Sequence, residues 1–278
     1  MPSFVGDEWL FNAGWSFAAA PDHDLADPAR LASAEPWDRL LYVFAQAKKG
    51  AFDHVGVLSE LLASEQAHPL FLAAMYLGAT VGDHAAASAL GKWLASDWFT
   101  QAAAAVELTG ELSFIDPLLQ RRRGAGAEIK ETMESTISRL LELEPDRFYE
   151  TELDDDAYEA RVRAEVAALV ARNGADHRYA LGAPLRPRTL VAKLNDLARL
   201  DRDPLQEACA TIGNVALQLE TLTGLPSIGV VALDDGGNDF VDRSRLGRFI
   251  EAAESWDAKV RPRSGRRMFF GHVVPDGR

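Results

Sequence analysis

The chain has 278 residues, 47% hydrophobic and 26% charged, enough for one large domain or two ordinary ones with a real core. Its formal net charge is −13, and a polyanion repels phosphate backbones, so a general nucleic-acid binder is disfavoured. Cys209 is the only cysteine, which excludes an intramolecular disulfide and a cysteine-rich zinc site. No stretch approaches the ~18 uninterrupted apolar residues of a spanning helix. Asp7 and Glu8 interrupt any apolar leader near the start, so the expectation is a soluble, cytoplasmic protein.

Residues 1–36 open with Phe4, Trp9, Phe11, Trp15 and Phe17 at neither a helical nor a strand period, followed by a proline- and aspartate-rich loop. This reads as an aromatic arm packed over the first helices, or as a partner-binding arm, since tryptophans often anchor interfaces. Residues 37–123 read as an array of helical hairpins. Within HPLFLAAMYLGATVGD, the positions Leu70, Ala73, Ala74, Leu77 and Val81 recur at helical spacing. Gly82 is the expected stop, Asp83 the cap of the next helix, and Ala86, Ala87, Leu90, Trp93 and Leu94 its apolar face. A shift of 28 residues places Phe71 on Phe99, Ala74 on Ala102, Gly82 on Gly110 and Leu90 on Leu118. Leu40–Ala47 and Val55–Leu62 give a looser upstream copy. Such pairs cannot bury their stripes alone, so the pattern predicts stacked α-hairpin repeats, in an α-solenoid or a less regular helical array.

Arg121, Arg122 and Arg123 end this region, favourably placed against a helix dipole, and Gly124–Gly126 marks the expected subdomain boundary. The second subdomain, 127–278, reads as further helices over 127–143, 157–172, 189–200 and about 204–223. ADHRYALGAPLRPR reads as a loop between two of them. After Gly224 come an apolar run (Ile228–Leu233), the turn DDGGND, a helix with Leu246, Phe249, Ile250 and Trp256, and a basic tail. Pairing of 228–233 with 268–274 would form a small β cap at the C-terminus. The fold class is therefore mainly α.

From Asp203 onward the chain resembles bacterial HEAT-like repeat proteins of the phycocyanobilin-lyase type. The resemblance rests on Asp203-Pro204 opening a helix, LETLTG at 219–224, Trp256 after a short insertion, and RRMFFG at 266–271. The chain departs from that pattern in lacking repeats that start Asp-Pro-x-x-Val-Arg. The resemblance implies an α-solenoid used as a docking surface. Some similar bacterial proteins accompany toxins or secretion systems as immunity or adaptor proteins, and fold alone does not fix function.

Candidate chemistry is sparse. None of the six histidines sits at a recognised metal-ligand spacing, and neither a metal nor a cofactor is expected. Glu152, Asp154, Asp155 and Asp156 form the densest acidic run, without the alternating ligands and central glycine of a calcium loop. They read as a solvated helix start or as contacts for a basic partner protein. Arg266, Arg267 and His272 could hold a phosphate or carboxylate, or pair with the chain's own acids. The first 120 residues carry 15 acidic against 5 basic side chains, an acidic surface suited to a basic partner or simply to solubility. The expected function is a non-catalytic protein-binding module, most concretely an immunity-type or adaptor protein that occludes a toxin or secretion-associated protein. The alternative is an enzyme with its site in a groove between helical layers.

Overall fold

The computed structural model describes residues 17–19, 28–63, 68–81, 84–142, 154–174, 178–233, 237–260 and 267–275. These are mainly helical, with three short antiparallel strand pairs. They form two compact units: residues 1–83 with 186–278, and residues 84–185. The glycine turn at 124–126, expected as a boundary, lies inside the second unit.

In the first unit, α1 (Pro36–Lys48), α2 (Gly56–Ala63) and α3 (His68–Val81) pack mutually. Proline at the first position of α1 suits a site whose amide has no helical partner. Its inner face buries Leu40, Val43 and Phe44. The rest of this unit comprises α9 (Pro187–Ala198), α10 (Arg202–Glu207), α11 (Cys209–Thr223) and α12 (Arg243–Val260). Helix α11 is the spine: α9, α10 and α12 all rest on it, and Ile212, Val215 and Leu219 are buried. Asp242 caps α12 by accepting from the amides of Ser244 (2.9 Å) and Arg245 (3.0 Å).

The second unit contains α4 (His84–Leu94), α5 (Phe99–Thr109), α6 (Ile115–Arg122), α7 (Ala127–Leu141) and α8 (Asp155–Asn173). Helix α7 packs on α5 and α6 through Met133, Ile137 and Leu140, while the 19-residue α8 buries only Tyr158, Val162 and Leu169.

The strands differ from the sequence expectation. Segment 228–233 does not pair with 268–274. Instead β3 (Val231–Leu233) pairs with β4 (Asp239–Val241), and β5 (Met268–Phe269) pairs with β6 (His272–Val273). The loop expected at 175–188 contains a third hairpin, β1 (Tyr179–Ala180) with β2 (Ala183–Pro184). The two-residue turns of β1–β2 and β5–β6 and the five-residue connection of β3–β4 all close short loops, which cost less chain entropy than a distant pairing.

One arrangement occurs once in each unit. In the second, the amides of Leu181 and Gly182, at the tip of β1–β2, donate to the last-turn carbonyls of Arg139 (2.7 Å) and Leu140 (3.1 Å). In the first, Phe270 and Gly271, at the tip of β5–β6, donate to Thr221 (2.8 Å) and Leu222 (2.9 Å). Both tips carry a positive-φ pair, and both helices end three residues later in a left-handed residue, Glu142 or Gly224. Each hairpin thus satisfies carbonyls that a helix end leaves without partners. A long helix, α8 or α12, precedes each hairpin.

Candidate functional site

The acidic start of α8 holds the carboxylates that the sequence singles out. Asp154 is the N-cap and accepts from the Ala157 amide at 2.8 Å. Asp155 accepts from Arg122 at 2.7 Å, from Lys130 at 3.5 Å and from the Gly124 amide at 3.3 Å. The Gly124 amide, with Lys130 and Arg122, holds its carboxyl below the ordinary range against partial burial. Asp156 pairs with Arg123, which also donates to Glu159 at 2.9 Å. Glu152 lies outside the described residues. The hub of the cluster is Arg122, buried and bonded to Glu134 at 2.7 Å as well as Asp155, with its guanidinium 3.8 Å from the Tyr158 ring. The arginine run expected to complement a helix dipole also fastens α6 and α7 to α8 by charge.

Of the basic group, Arg266 lies outside the described residues. Arg267 and His272 are brought onto one hairpin: the Arg267 carbonyl accepts from the Val274 amide at 2.9 Å, and His272 sits on β6. The imidazole rests against the end of α1, where a Cβ on Gly50 would stand 2.7 Å from Nδ1.

Two buried carboxylates escaped sequence reasoning. Glu107 on α5 accepts from Arg139 (3.0 and 3.1 Å) and Thr136 (3.3 Å); burial raises its pKa despite the arginine. Glu220 on α11 is fully buried and accepts from the Ala18 amide (2.8 Å), the Ser227 amide (2.6 Å) and the Ser227 hydroxyl (2.7 Å). Both tie segments of their own unit together. Periodicity could not mark them, since each stands among apolar neighbours as an isolated acid. Among the described residues no group of three or more His, Cys, Asp or Glu side chains could hold a metal ion, and no helix is long and apolar enough to cross a membrane.

The surface feature that stands out is apolar. Ile228, Leu233 and Phe240 are 52%, 50% and 37% exposed, all in the short stretch that forms and precedes the β3–β4 hairpin. Val231 packs toward Gly213 of α11, and β4 rests on α10 and α11. By alternation Leu233 shares the face of Val231, while Phe240, opposite Ala232, lies on the other face. Burial, then the charge of Asp239 on β4, raises the pKa of the Cys209 thiol beneath it, keeping it neutral. Comparison with known protein families, with curated proteins and with solved structures finds no match.

Proposed function

We propose that this chain is a non-catalytic protein-binding module, most concretely an immunity-type or adaptor protein that binds and occludes a basic partner, a toxin or a secretion-associated protein. The observation that carries the reading is the exposure of Ile228, Leu233 and Phe240, on and just before one small hairpin. Large apolar side chains left in solvent within one short stretch of chain are candidates for contact with a partner. Net charge adds to this: at −13 the chain attracts a cationic protein over distances longer than any contact. Two units that each dock a hairpin on a helix end support reading the array as HEAT-like repeats used as a docking scaffold. A cytoplasmic location belongs to the same reading.

The test is co-purification with the tagged full-length chain from its own cells, at low and high salt. The expected result is a stoichiometric partner rich in Lys and Arg, held more weakly at high salt. Retention indifferent to ionic strength would remove the steering by charge. Absence of a stoichiometric partner under both conditions would overturn the reading.

A further inference from the structure

We infer that α8 is a releasable strap, held to its unit largely by exposed charge and freed by salt, whereas its structural counterpart α12 is not. The correspondence comes from a repeat within the chain. Helices α5–α8 with β1–β2, over residues 99–185, run in the same order as α9–α12 with β5–β6, over 187–274. Helix α7 packs on α5 and α6, as α11 packs on α9 and α10. Beyond the matching hairpin tips, the Arg178 carbonyl accepts from the Leu185 amide (2.6 Å) and the Arg267 carbonyl from the Val274 amide (2.9 Å). Each long helix starts at an aspartate cap: Asp154 accepts from the Ala157 amide and Asp242 from the Arg245 amide. At matched distances from these caps stand large buried side chains, Tyr158 and Val162 on α8, Leu246 and Ile250 on α12.

The two helices are fastened differently. Helix α8 buries Tyr158, Val162 and Leu169 and is otherwise clamped by ions. Arg123 pairs with Asp156 and Glu159, and Arg163 with Asp116 of α6 at 2.5 Å. These two arginines are 54% and 55% exposed; Arg122 with Asp155 is the sheltered pair. Helix α12 buries Leu246, Phe249, Ile250 and Ala253. Its Arg245–Asp242 pair lies within its own first turn. Arg243 reaches the carbonyls of Ala198 (3.3 Å) and Leu200 (2.5 Å), and the Asn195 side-chain amide donates to Glu254 at 2.9 Å.

Salt separates the two arrangements. Raising ionic strength from about 0.01 M to about 1 M shortens the Debye length from about 30 Å to about 3 Å. Exposed ion pairs weaken over that range, while buried apolar surface stays out of water. The far end of α8 remains tied, since the Gly174 carbonyl accepts from the Tyr179 hydroxyl at 2.5 Å. Opening therefore starts at the acidic end and is local.

The experiment reads amide hydrogen exchange of the full-length chain at about 0.01 M and about 1 M sodium chloride. The matched amides are Val162 on α8 and Ile250 on α12, with Ile137 on α7 reporting on the rest of the second unit. At high salt Val162 should exchange about tenfold faster, the combined weight of several exposed pairs, while Ile250 and Ile137 change by less than about twofold. The double variant Arg123→Gln, Arg163→Gln keeps Arg122. At low salt its Val162 amide should already exchange at the parent's high-salt rate, and added salt should do little more. Should that variant lose the native far-UV spectrum, the salt response of the parent decides alone. Equal acceleration of Val162 and Ile250, a Val162 amide indifferent to salt, or a folded double variant with the parent's salt response overturns the inference.

Discussion

The Arg122 guanidinium lies 3.8 Å from the centre of the Tyr158 ring and, in the same pose, bonds Glu134 and Asp155 at 2.7 Å each. Its side chain is 6% exposed, so the charge is stabilised by these partners rather than by water. Only a planar fork can stack and bridge two carboxylates together, which a lysine ammonium cannot do. Arg122→Ala should destabilise the second unit by about 2–4 kcal/mol and Arg122→Lys by about 1–2 kcal/mol. Urea denaturation gives both values. Equal stability of the lysine variant and the parent would show that point charge alone suffices.

The two perturbed carboxylates of this unit predict opposite pH dependences. Asp155 is held low by the Gly124 amide and by Lys130 and Arg122, so its stabilisation is present above the ordinary aspartate range and lost as pH falls through its folded value. Glu107 is pushed up by burial, so its contribution is full below the ordinary glutamate range and is lost as pH rises through its folded value. Across about pH 3 to 7, the advantage of the parent over Asp155→Asn should grow with pH. Its advantage over Glu107→Gln should shrink. Difference curves of the same sign would contradict the assignment.

The helix ends under the two hairpin tips offer a matched pair of substitutions. Glu142 has φ 54° and Gly224 has φ 78°, yet only one of them is glycine. Glu142→Gly should stabilise by about 0.5–1 kcal/mol, because the left-handed backbone is unstrained without a Cβ. Gly224→Ala should destabilise by more than that, since its Cβ would meet Phe270 Cδ1 at 3.1 Å in a disfavoured conformation. Thermal denaturation of both variants checks the signs.

Helix existence was legible in the sequence wherever an apolar stripe met a stop: Leu40–Ala47, Ile129–Leu141 and Cys209–Leu219 all lie on helices. Gly224 was readable as a helix end because glycine advertises it, whereas Glu142 was not. The hairpins at 179–184 and 268–273 were hidden for a related reason. Two-residue turns of this kind favour Asn-Gly or Gly-Gly, and here Leu181 and Phe270 occupy the first left-handed position at φ 50° and 49°. The clue that could have found them is the shared pattern Arg178-Tyr-Ala-Leu-Gly182 and Arg267-Met-Phe-Phe-Gly271. Phe270 fits its aromatic setting: its ring lies 4.8 Å from Phe269 and 6.3 Å from Phe44. Of the site, the acidic run was visible as composition, but its pairing with Arg122 and Arg123 spans 33 residues, and no local pattern encodes that contact. The β3–β4 hairpin was half legible, since DDGGND announces a turn while the partner of Val231 depends on register.

Glu220 supplies the last prediction. Its carboxylate is sealed from solvent and collects three donors, from Ala18 and from both the amide and the hydroxyl of Ser227. It therefore joins the turn at 17–19, whose Phe17 ring lies 5.4 Å from Phe44, to the loop after α11. Glu220→Ala strands three buried donors and should cost about 2–4 kcal/mol, while Ser227→Ala removes one of them and should cost about 1 kcal/mol. The two losses share one interaction, so the double variant should be less destabilised than their sum by about 1 kcal/mol. The Ala18 amide should also exchange faster in Glu220→Ala than in Ser227→Ala, because only the first substitution removes its acceptor. Additive energies, or an Ala18 amide indifferent to Glu220, would show that Phe17 packing alone fixes the turn.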